Sequence, residues 1–438
     1  MLVCPACFTV KGLQTRIEEV RKAASTGPCD LHPTRKGIPI EALAEIVDPV
    51  FRENYGAGIY DSRYDEISGD SLSDVLYELT GTERDEVVEA LAAYLIEEDP
   101  YWPPDGDDPF YSEEYGYVRD RYSLGEHGRL WARFRESLLY GQRFFNAEAR
   151  ALIEHIFRHV HQQRDDQSQG PVYLISPSDT QGHFFRARVT EDEAERARIT
   201  KNIVAELGPP PERLRRPGRL NPSGVSCFYG AFDLDTCVAE LRPSVGSIVV
   251  GAQFQITEPI CVLDTTRFDA KPKEPNLYAK GAMERAAQWR FMRTFMLEIA
   301  QPVLPLAEHL DYVPTQAVAE YLAQHHAFSF AGQERTIDAI IYASAQHPGG
   351  KNIALLGSAS VVGDEISVAT PDHDPDEDEF PFGLGLIRRS PKVRIIPMLA
   401  SVEKRSVRGV AFATHRFYDP GDDGAPQMDA ADWNAQDD

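Results

Sequence analysis

Four separated stretches of this chain carry side chains able to grip an anion or steady a developing cation. In HFFRARVT an extended strand would put Phe184, Arg186 and Arg188 on one face and Phe185, Ala187 and Val189 on the other. Two neighbouring guanidiniums suit a pyrophosphate or a ribose, which they can hold bidentately. Next comes RPGRLNPSGVSCFYGAFDLDTCVAELRP, where Gly218 and Gly224 permit tight turns around Arg219 and Asn221. The strand CFYGAF then carries Tyr229, and Asp233 or Asp235 caps a helix with Cys237, Glu240 and Leu241 on one stripe. A carboxylate among apolar neighbours is costly unless it is paired or functional. In YVPTQ, Thr315 reads as the N-cap of a helix with Gln316 beside it, and free N–H groups at a helix start bind anions. Finally, the Gly-rich loop of YASAQHPGGKN offers Ser344, Lys351 and Asn352 between two apolar strands.

Each pattern by itself also fits a plainer role. The arginines suit a solvated basic face, Glu240 a surface ion pair with Arg242, Thr315 a simple cap, and the Gly-rich loop a hairpin turn.

A second chemistry is written at the N-terminus. CPAC and CDLH supply Cys4, Cys7, Cys29 and His32, two short pairs of soft ligands separated by a helix-length spacer. That set suits a tetrahedral zinc site with no open position, hence a structural one.

The elements that must position these groups are legible from periodicity. PIEALAEIVDPVF, SLSDVLYEL and RDEVVEALAAYLIEE show helical spacing, with Ser71 and Thr82 as N-caps. After the aromatic, acidic loop EEDPYWPPDGDDPFYSEEYGY come two more helical runs, HGRLWARFRESLLYGQRFF and AEARALIEHIFRHVHQQ. RDDQSQG then reads as a linker. Beyond it PVYLIS, HFFRARV, SCFYGAF, GSIVVGAQFQI and ICVLD read as strands, and TCVAEL, AAQWRFMRTFMLEIA and TQAVAEYLAQHH as helices. Without strict β-α-β alternation the class is α+β. The expected organisation is a zinc-knuckle-like segment over 1–36, a helical domain over 37–165, a mixed catalytic domain over 166–415 and an acidic tail over 416–438. PDHDPDEDEF reads as an exposed acidic insertion.

Composition excludes several function classes. The 438 residues carry a formal net charge of −24, which disfavours nucleic acid and anionic membrane as partners but leaves room for a local basic pocket. No apolar run reaches the roughly 20 residues of a membrane span, and MLVCPACFTVKGLQ has no signal-peptide pattern. A soluble cytoplasmic protein with reduced cysteines is expected.

In order, FFRAR, GRLNPSG with FYGA, AELRP and YVPTQ resemble the motifs of the RES domain, named for an Arg, a Glu and a Ser. The resemblance spans Val172 to Ala411. It implies an ADP-ribosyltransferase-like fold and an enzyme that cleaves NAD, often a toxin paired with an antitoxin. It matches Arg186 to the family arginine, Glu240 to the glutamate, and Thr315 to the serine, a departure that keeps a hydroxyl. Tyr229 stands with these as catalytic, while Arg188, Arg219, Asn221, Gln316 and Ser344 are implied to bind substrate. The N-terminal half, through CPACFTVKGLQ and CDLH, resembles the HEPN-type helical domain that accompanies some RES domains. It is expected to regulate the enzyme or recruit an antitoxin-like partner.

Three readings compete with NAD hydrolysis or phosphorolysis. One is ADP-ribosylation of a protein. Another is a HEPN-type RNase using Arg150 and His155, although five residues on a helix place these poorly for joint work. The third is a nucleotide-binding regulatory module without turnover.

Overall fold

A computed structural model of the chain describes residues 1–23, 27–58, 60–61, 66–99, 108–119, 125–273, 276–279, 281–300, 308–364 and 392–409. The acidic insertion PDHDPDEDEF, the tail from 416 and the middle of the aromatic loop lie outside the described residues.

The N-terminal elements are β1 (Leu2–Val3), α1 (Lys11–Ala23), β2 (Gly27–Pro28), β3 (Lys36–Pro39), α2 (Ile40–Asn54), β4 (Tyr55–Ala57), β5 (Tyr60–Asp61), β6 (Glu66–Ile67), β7 (Asp70–Ser71), α3 (Leu72–Thr80), α4 (Asp85–Glu97) and β8 (Gly116–Arg119). β1 and β2 flank β3 in a small antiparallel sheet. The helices bury the expected stripes: Leu43, Val47 and Phe51 of α2, Val75 and Leu79 of α3, Val87, Leu91 and Leu95 of α4. Phe51 meets Tyr111 and Tyr117 edge-on at 5.2 and 5.0 Å. Ser71 caps α3 through the Asp74 amide as the sequence predicts. Thr82 is not the cap of α4, whose N-cap is Arg84; its hydroxyl accepts the Arg84 amide.

Helices α5 (Gly125–Tyr140) and α6 (Ala147–Phe157) belong to a different core. Trp131, Phe134 and Phe157 pack with Phe291 and Phe295, Phe157 meeting Phe295 edge-on at 5.4 Å. The hydrophobic cores change between Arg119 and Gly125, ahead of the linker at Arg164, and Leu277 and Tyr278 return to the first core. That linker is itself tied down. Asp165 is buried, its amide donates to the Gln169 carbonyl and its carboxylate accepts the Gln169 amide.

The remaining elements are β9 (Val172–Ile175), β10 (His183–Thr190), α7 (Glu193–Lys201), α8 (Ile203–Leu207), β11 (Cys227–Ala231), α9 (Leu234–Leu241), β12 (Ile248–Ile256), β13 (Ile260–Asp264), α10 (Ala282–Ala300), α11 (Glu308–Asp311), α12 (Val313–Gln324), β14 (Phe328–Phe330), β15 (Gln333–Arg335), β16 (Ala339–Ala343), β17 (Lys351–Leu356), β18 (Ile395–Pro397) and β19 (Glu403–Ser406). The fold is mixed α+β, as expected. The large sheet runs β18-β12-β10-β11-β17-β16-β13-β9, with β19 also on β12. Among the described strands only β13 and β16 pair in parallel. Cys227, Ala354, Leu356 and Ile340 face the helical core, whereas Phe228, Leu355, Ile353 and Phe184 face a second core with Ile199, Ile203 and Leu207.

β10 pairs with β12 along all its residues but with β11 only through Phe185↔Ala231. The sheet therefore opens between β10 and β11. Among the described residues no helix is long and apolar enough to cross a membrane.

His326 is buried beside Phe328 and His161, and burial together with those neighbouring imidazoles pushes its pKa down to about 4. His161, His127 and His159 shift the same way for the same first cause. Near pH 5 the unfolded chain takes up protons that the folded chain refuses, so stability falls as pH drops from about 6.5 toward 4. Denaturant unfolding at pH 7 and pH 5 should show this loss, and His326→Phe should reduce it; an unchanged slope would exclude His326 as a contributor.

Candidate active site

Glu240 is brought to the sheet by the packing of α9. Asp233 is its N-cap, accepting the Thr236 amide at 2.7 Å. Leu234 and Cys237 bury against Ala187, Ala231 and Val249, which fixes the helix over β10 and β11. One turn later Glu240 meets the end of the β16–β17 hairpin. Its Oε1 accepts from Ser344 Oγ at 2.6 Å and from Asn352 Nδ2 at 2.7 Å. Ser344 Oγ accepts the amides of Gln346 and His347, so its single proton is directed to Glu240. Oε2 has no hydrogen-bond partner among the described residues, and Glu240 is exposed. The ion pair with Arg242 does not form; Arg242 ends the helix in the left-handed region at φ 47°.

The GRLNPSG loop is held from within. Tyr229 donates to Asn221 Oδ1 and accepts the Leu220 amide, both at 2.9 Å. Asn221 Nδ2 reaches the carbonyls of Arg216, Pro222 and Val225. A Cβ on Gly218 would meet the Tyr229 hydroxyl at 2.8 Å, so this close approach requires glycine. Burial raises the Tyr229 pKa well above that of an ordinary phenol, which keeps its donor proton. Arg219 extends from the loop over the Tyr312 ring and toward the Glu298 carbonyl.

Thr315 and Gln316 clamp the same loop from outside. Thr315 Oγ1 donates to the Arg219 carbonyl at 2.6 Å, and Gln316 Nε2 to the Gly218 carbonyl at 2.7 Å. Thr315 is not the N-cap expected from YVPTQ. α12 starts at Val313, Tyr312 occupies the cap position, and Thr315 lies inside the first turn with its hydroxyl turned to the loop. The hydroxyl that meets the Glu240 carboxylate belongs to Ser344.

A cleft of about 530 Å³ fills the opening beside β10 and is lined by Arg186, Arg188, Arg215, Arg216, Asn221 and Tyr229, among others. The Arg186 guanidinium lies 4.9 Å from the Phe228 ring centroid, and its Nη1 is buried with no partner among the described residues. Burial lowers its pKa, yet an arginine stays charged at neutral pH. An unpartnered buried guanidinium N–H is costly unless a ligand takes it. Arg188 is more exposed and pairs with Glu206 at 3.0 Å and Glu195 at 3.6 Å. Arg215 bonds the Pro210 and Gly224 carbonyls.

Burial pushes the Cys237 thiol up to about 12, with Arg186 opposing and Glu240 reinforcing. The Tyr342 phenol is raised by burial and then by Glu240, with Arg219 opposing. The arrangement presents an unpartnered guanidinium in a cleft and, near the end of α9, a carboxylate anchored by the β16–β17 hairpin. Sequence reasoning missed Tyr342, Arg215, Arg216 and Glu206; the run RLRRPGR is the signal that pointed to the two arginines.

Far along the chain, the ligand atoms of Cys4, Cys7, Cys29 and His32 all lie within 4.8 Å of one another. Cys7 and Cys29 sulfurs are 3.6 Å apart, and His32 Nδ1 lies 3.4, 3.6 and 3.9 Å from those of Cys7, Cys4 and Cys29. Bond lengths near 2.3 Å to sulfur and 2.0 Å to nitrogen give tetrahedral edges of about 3.5–3.8 Å, so the set fits one metal ion. Backbone bonds shape it: Cys7 N to Cys4 O at 2.9 Å, and Cys29 N to Arg35 O and Arg35 N to His32 O at 2.8 Å.

Residues 193–378 match the family model described as RES domain, so the chain carries a RES domain over that segment. Arg219, Tyr229, Glu240, Thr315, Gln316 and Ser344 fall inside it, while Arg186, Arg188 and the N-terminal cysteines lie before it. Neither curated proteins nor solved structures gave a match.

The clamp on the loop is testable by stability. Thr315→Val leaves the Arg219 carbonyl without its donor and should cost about 1–3 kcal/mol, while Thr315→Ser should cost well under half of that. Equal unfolding free energies for the two variants would show that the hydroxyl holds nothing.

Proposed function

We propose that the RES domain of this chain cleaves the nicotinamide–ribose bond of NAD, as an NAD glycohydrolase or phosphorylase. The observation that carries the reading is the carboxylate of Glu240, anchored through Oε1 by Ser344 and Asn352 and open at Oε2, on a fold that also holds a cleft with an unpartnered arginine. Nicotinamide leaves NAD as a neutral base and needs no general acid. The barrier lies in the oxocarbenium ion left on the ribose, as in glycoside cleavage. A fixed carboxylate steadies that charge and accepts a ribose hydroxyl. In this reading Glu240 is the catalytic carboxylate and Ser344 takes the role of the family serine. Arg186, with Arg188 and Arg219, holds the pyrophosphate, so that remote binding energy positions the ribose. Tyr229, Asn221, Thr315 and Gln316 act through the loop they hold and are positioning residues.

The HEPN-type RNase reading loses support. Arg150 pairs with Glu154 at 3.0 Å on the exposed side of α6, so its charge is already matched on its own helix. We assign zinc to the N-terminal cluster, with a structural role. We also assign the chain to the cytoplasm, as an NAD-depleting toxin or defence effector restrained by its N-terminal unit or by an antitoxin-like protein.

Glu240→Gln should lower turnover of NAD about 100-fold or more while NAD binding changes little, because the interaction matters most in the transition state. Nicotinamide release by purified wild type and variant checks this; equal release would remove Glu240 from the mechanism. Metal analysis of the full chain should find one zinc per chain. Cys29→Ala should lose the metal and the unfolding transition of the N-terminal core, since structural zinc supplies on the order of 10 kcal/mol to a small module. A metal-free chain with an intact transition would refute the zinc assignment.

A further inference from the structure

The loop between β16 and β17 lies along α9. A Cβ on Gly350 would collide with Thr236 Oγ1, so the bare glycine lets the loop pack flush on the helix. Its two ends of contact are one helical turn apart: Ser344 at Glu240, and His347 at Thr236. Residues four apart on a helix lie on the same face, about 6 Å from each other.

His347 Nδ1 is 2.7 Å from Thr236 Oγ1, and that hydroxyl is also 2.7 Å from Asp233 Oδ2. A carboxylate at neutral pH only accepts, so Thr236 gives its proton to Asp233. The hydroxyl is then an acceptor, and Nδ1 must be the donor. This fixes the imidazole as the Nδ1–H tautomer, with a lone pair on Nε2. Asp233 Oδ1 lies 4.0 Å from Nδ1. Nε2 has no hydrogen-bond partner among the described residues, and the side chain is 43% exposed. An aspartate–hydroxyl–imidazole chain thus ends in an open basic nitrogen within one helical turn of the catalytic carboxylate.

The geometry points to His347 as the general base that activates water against the ribose, which makes hydrolysis the reaction of this site. The inference rests on Glu240 acting on NAD as proposed above. In the step, the water oxygen bonds to the anomeric carbon as the bond from that carbon to the nicotinamide nitrogen breaks. The electron pair of the broken bond returns to the nicotinamide ring, leaving it neutral. The proton lost by water goes to Nε2 and from there to solvent. Thr236 and Asp233 are positioning residues that hold the tautomer and steady the imidazolium.

The test uses the purified full chain with NAD in phosphate-free buffer, measuring nicotinamide and ADP-ribose. His347→Gln keeps a side chain able to bond Thr236 but supplies no base. It should lower kcat about 100-fold or more with KM within about threefold, and free imidazole should restore part of the turnover of His347→Ala. Turnover of His347→Gln within about threefold of wild type, or a loss that falls on KM alone, would overturn the inference. So would a wild type that releases nicotinamide only when phosphate is added. An inactive Glu240→Gln beside an active His347→Gln would sink this inference and leave the proposed function standing. A wild type that cleaves no NAD under any of these conditions would sink both.

Discussion

Strands β10 and β11 share a single register pair, Phe185↔Ala231, and the rest of the site follows from their parting there. A continuous ladder would bring the two strands together along their length and close the cleft that Arg186 lines. Instead β10 stays with β12 for its whole length, and β11 stays with β17. The gap leaves one wall with arginines and the other with the loop anchored by Tyr229. Helix α9 then bridges the joined end, where Leu234 and Cys237 pack on both strands, and delivers Glu240 to the hairpin. The same helix that packs over the joined end of β10 and β11 thus carries the carboxylate, while the parted end carries the guanidinium.

The polar groups around the opening fall into two kinds. Tyr229, Asn221, Thr315 and Gln316 have partners that satisfy them within the protein, and their bonds define the path of residues 218–221. Satisfied networks of this sort rigidify a loop. Arg186 Nη1 and Glu240 Oε2 are the opposite, polar atoms directed to the site with nothing from the described residues on them. A rigid frame with open polar ends of opposite charge is preorganised to meet charged groups of both signs.

Much of this was legible in the sequence, because periodicity marks elements. The alternation in HFFRARVT gives β10 with Phe184 inward, and the Asp233 cap gives α9. The metal ligands were legible too, because two short pairs on turns need only local geometry to converge. What stayed hidden depends on long-range pairing. Ser344 and Glu240 are 104 residues apart and meet only through the packing of α9 on a hairpin. Thr315 looked like a cap because its neighbours have cap-like types, while its hydroxyl is claimed by a carbonyl 96 residues away. Helices α5 and α6 read as part of the N-terminal unit because RDDQSQG has linker composition. Their stripes of Trp131, Phe134 and Phe157 are addressed to Phe291 and Phe295 of α10, and nothing in a single helix names the partner of its apolar face.

The segment that leads into α10 joins the two cores. Tyr278, just before it, is buried in the N-terminal core and donates to the Leu79 carbonyl at 2.9 Å. Asn276 lies against the bare backbone of Gly12 in α1, next to the metal-ligand turn at Cys7. Toward its other end, the Glu298 carboxylate takes the Trp131 indole and its carbonyl faces Arg219 of the active-site loop. Free energy that holds the N-terminal core therefore also holds the start of α10. A ligand that binds only the folded form of one unit stabilises that form by an amount that grows with the logarithm of its concentration over its Kd.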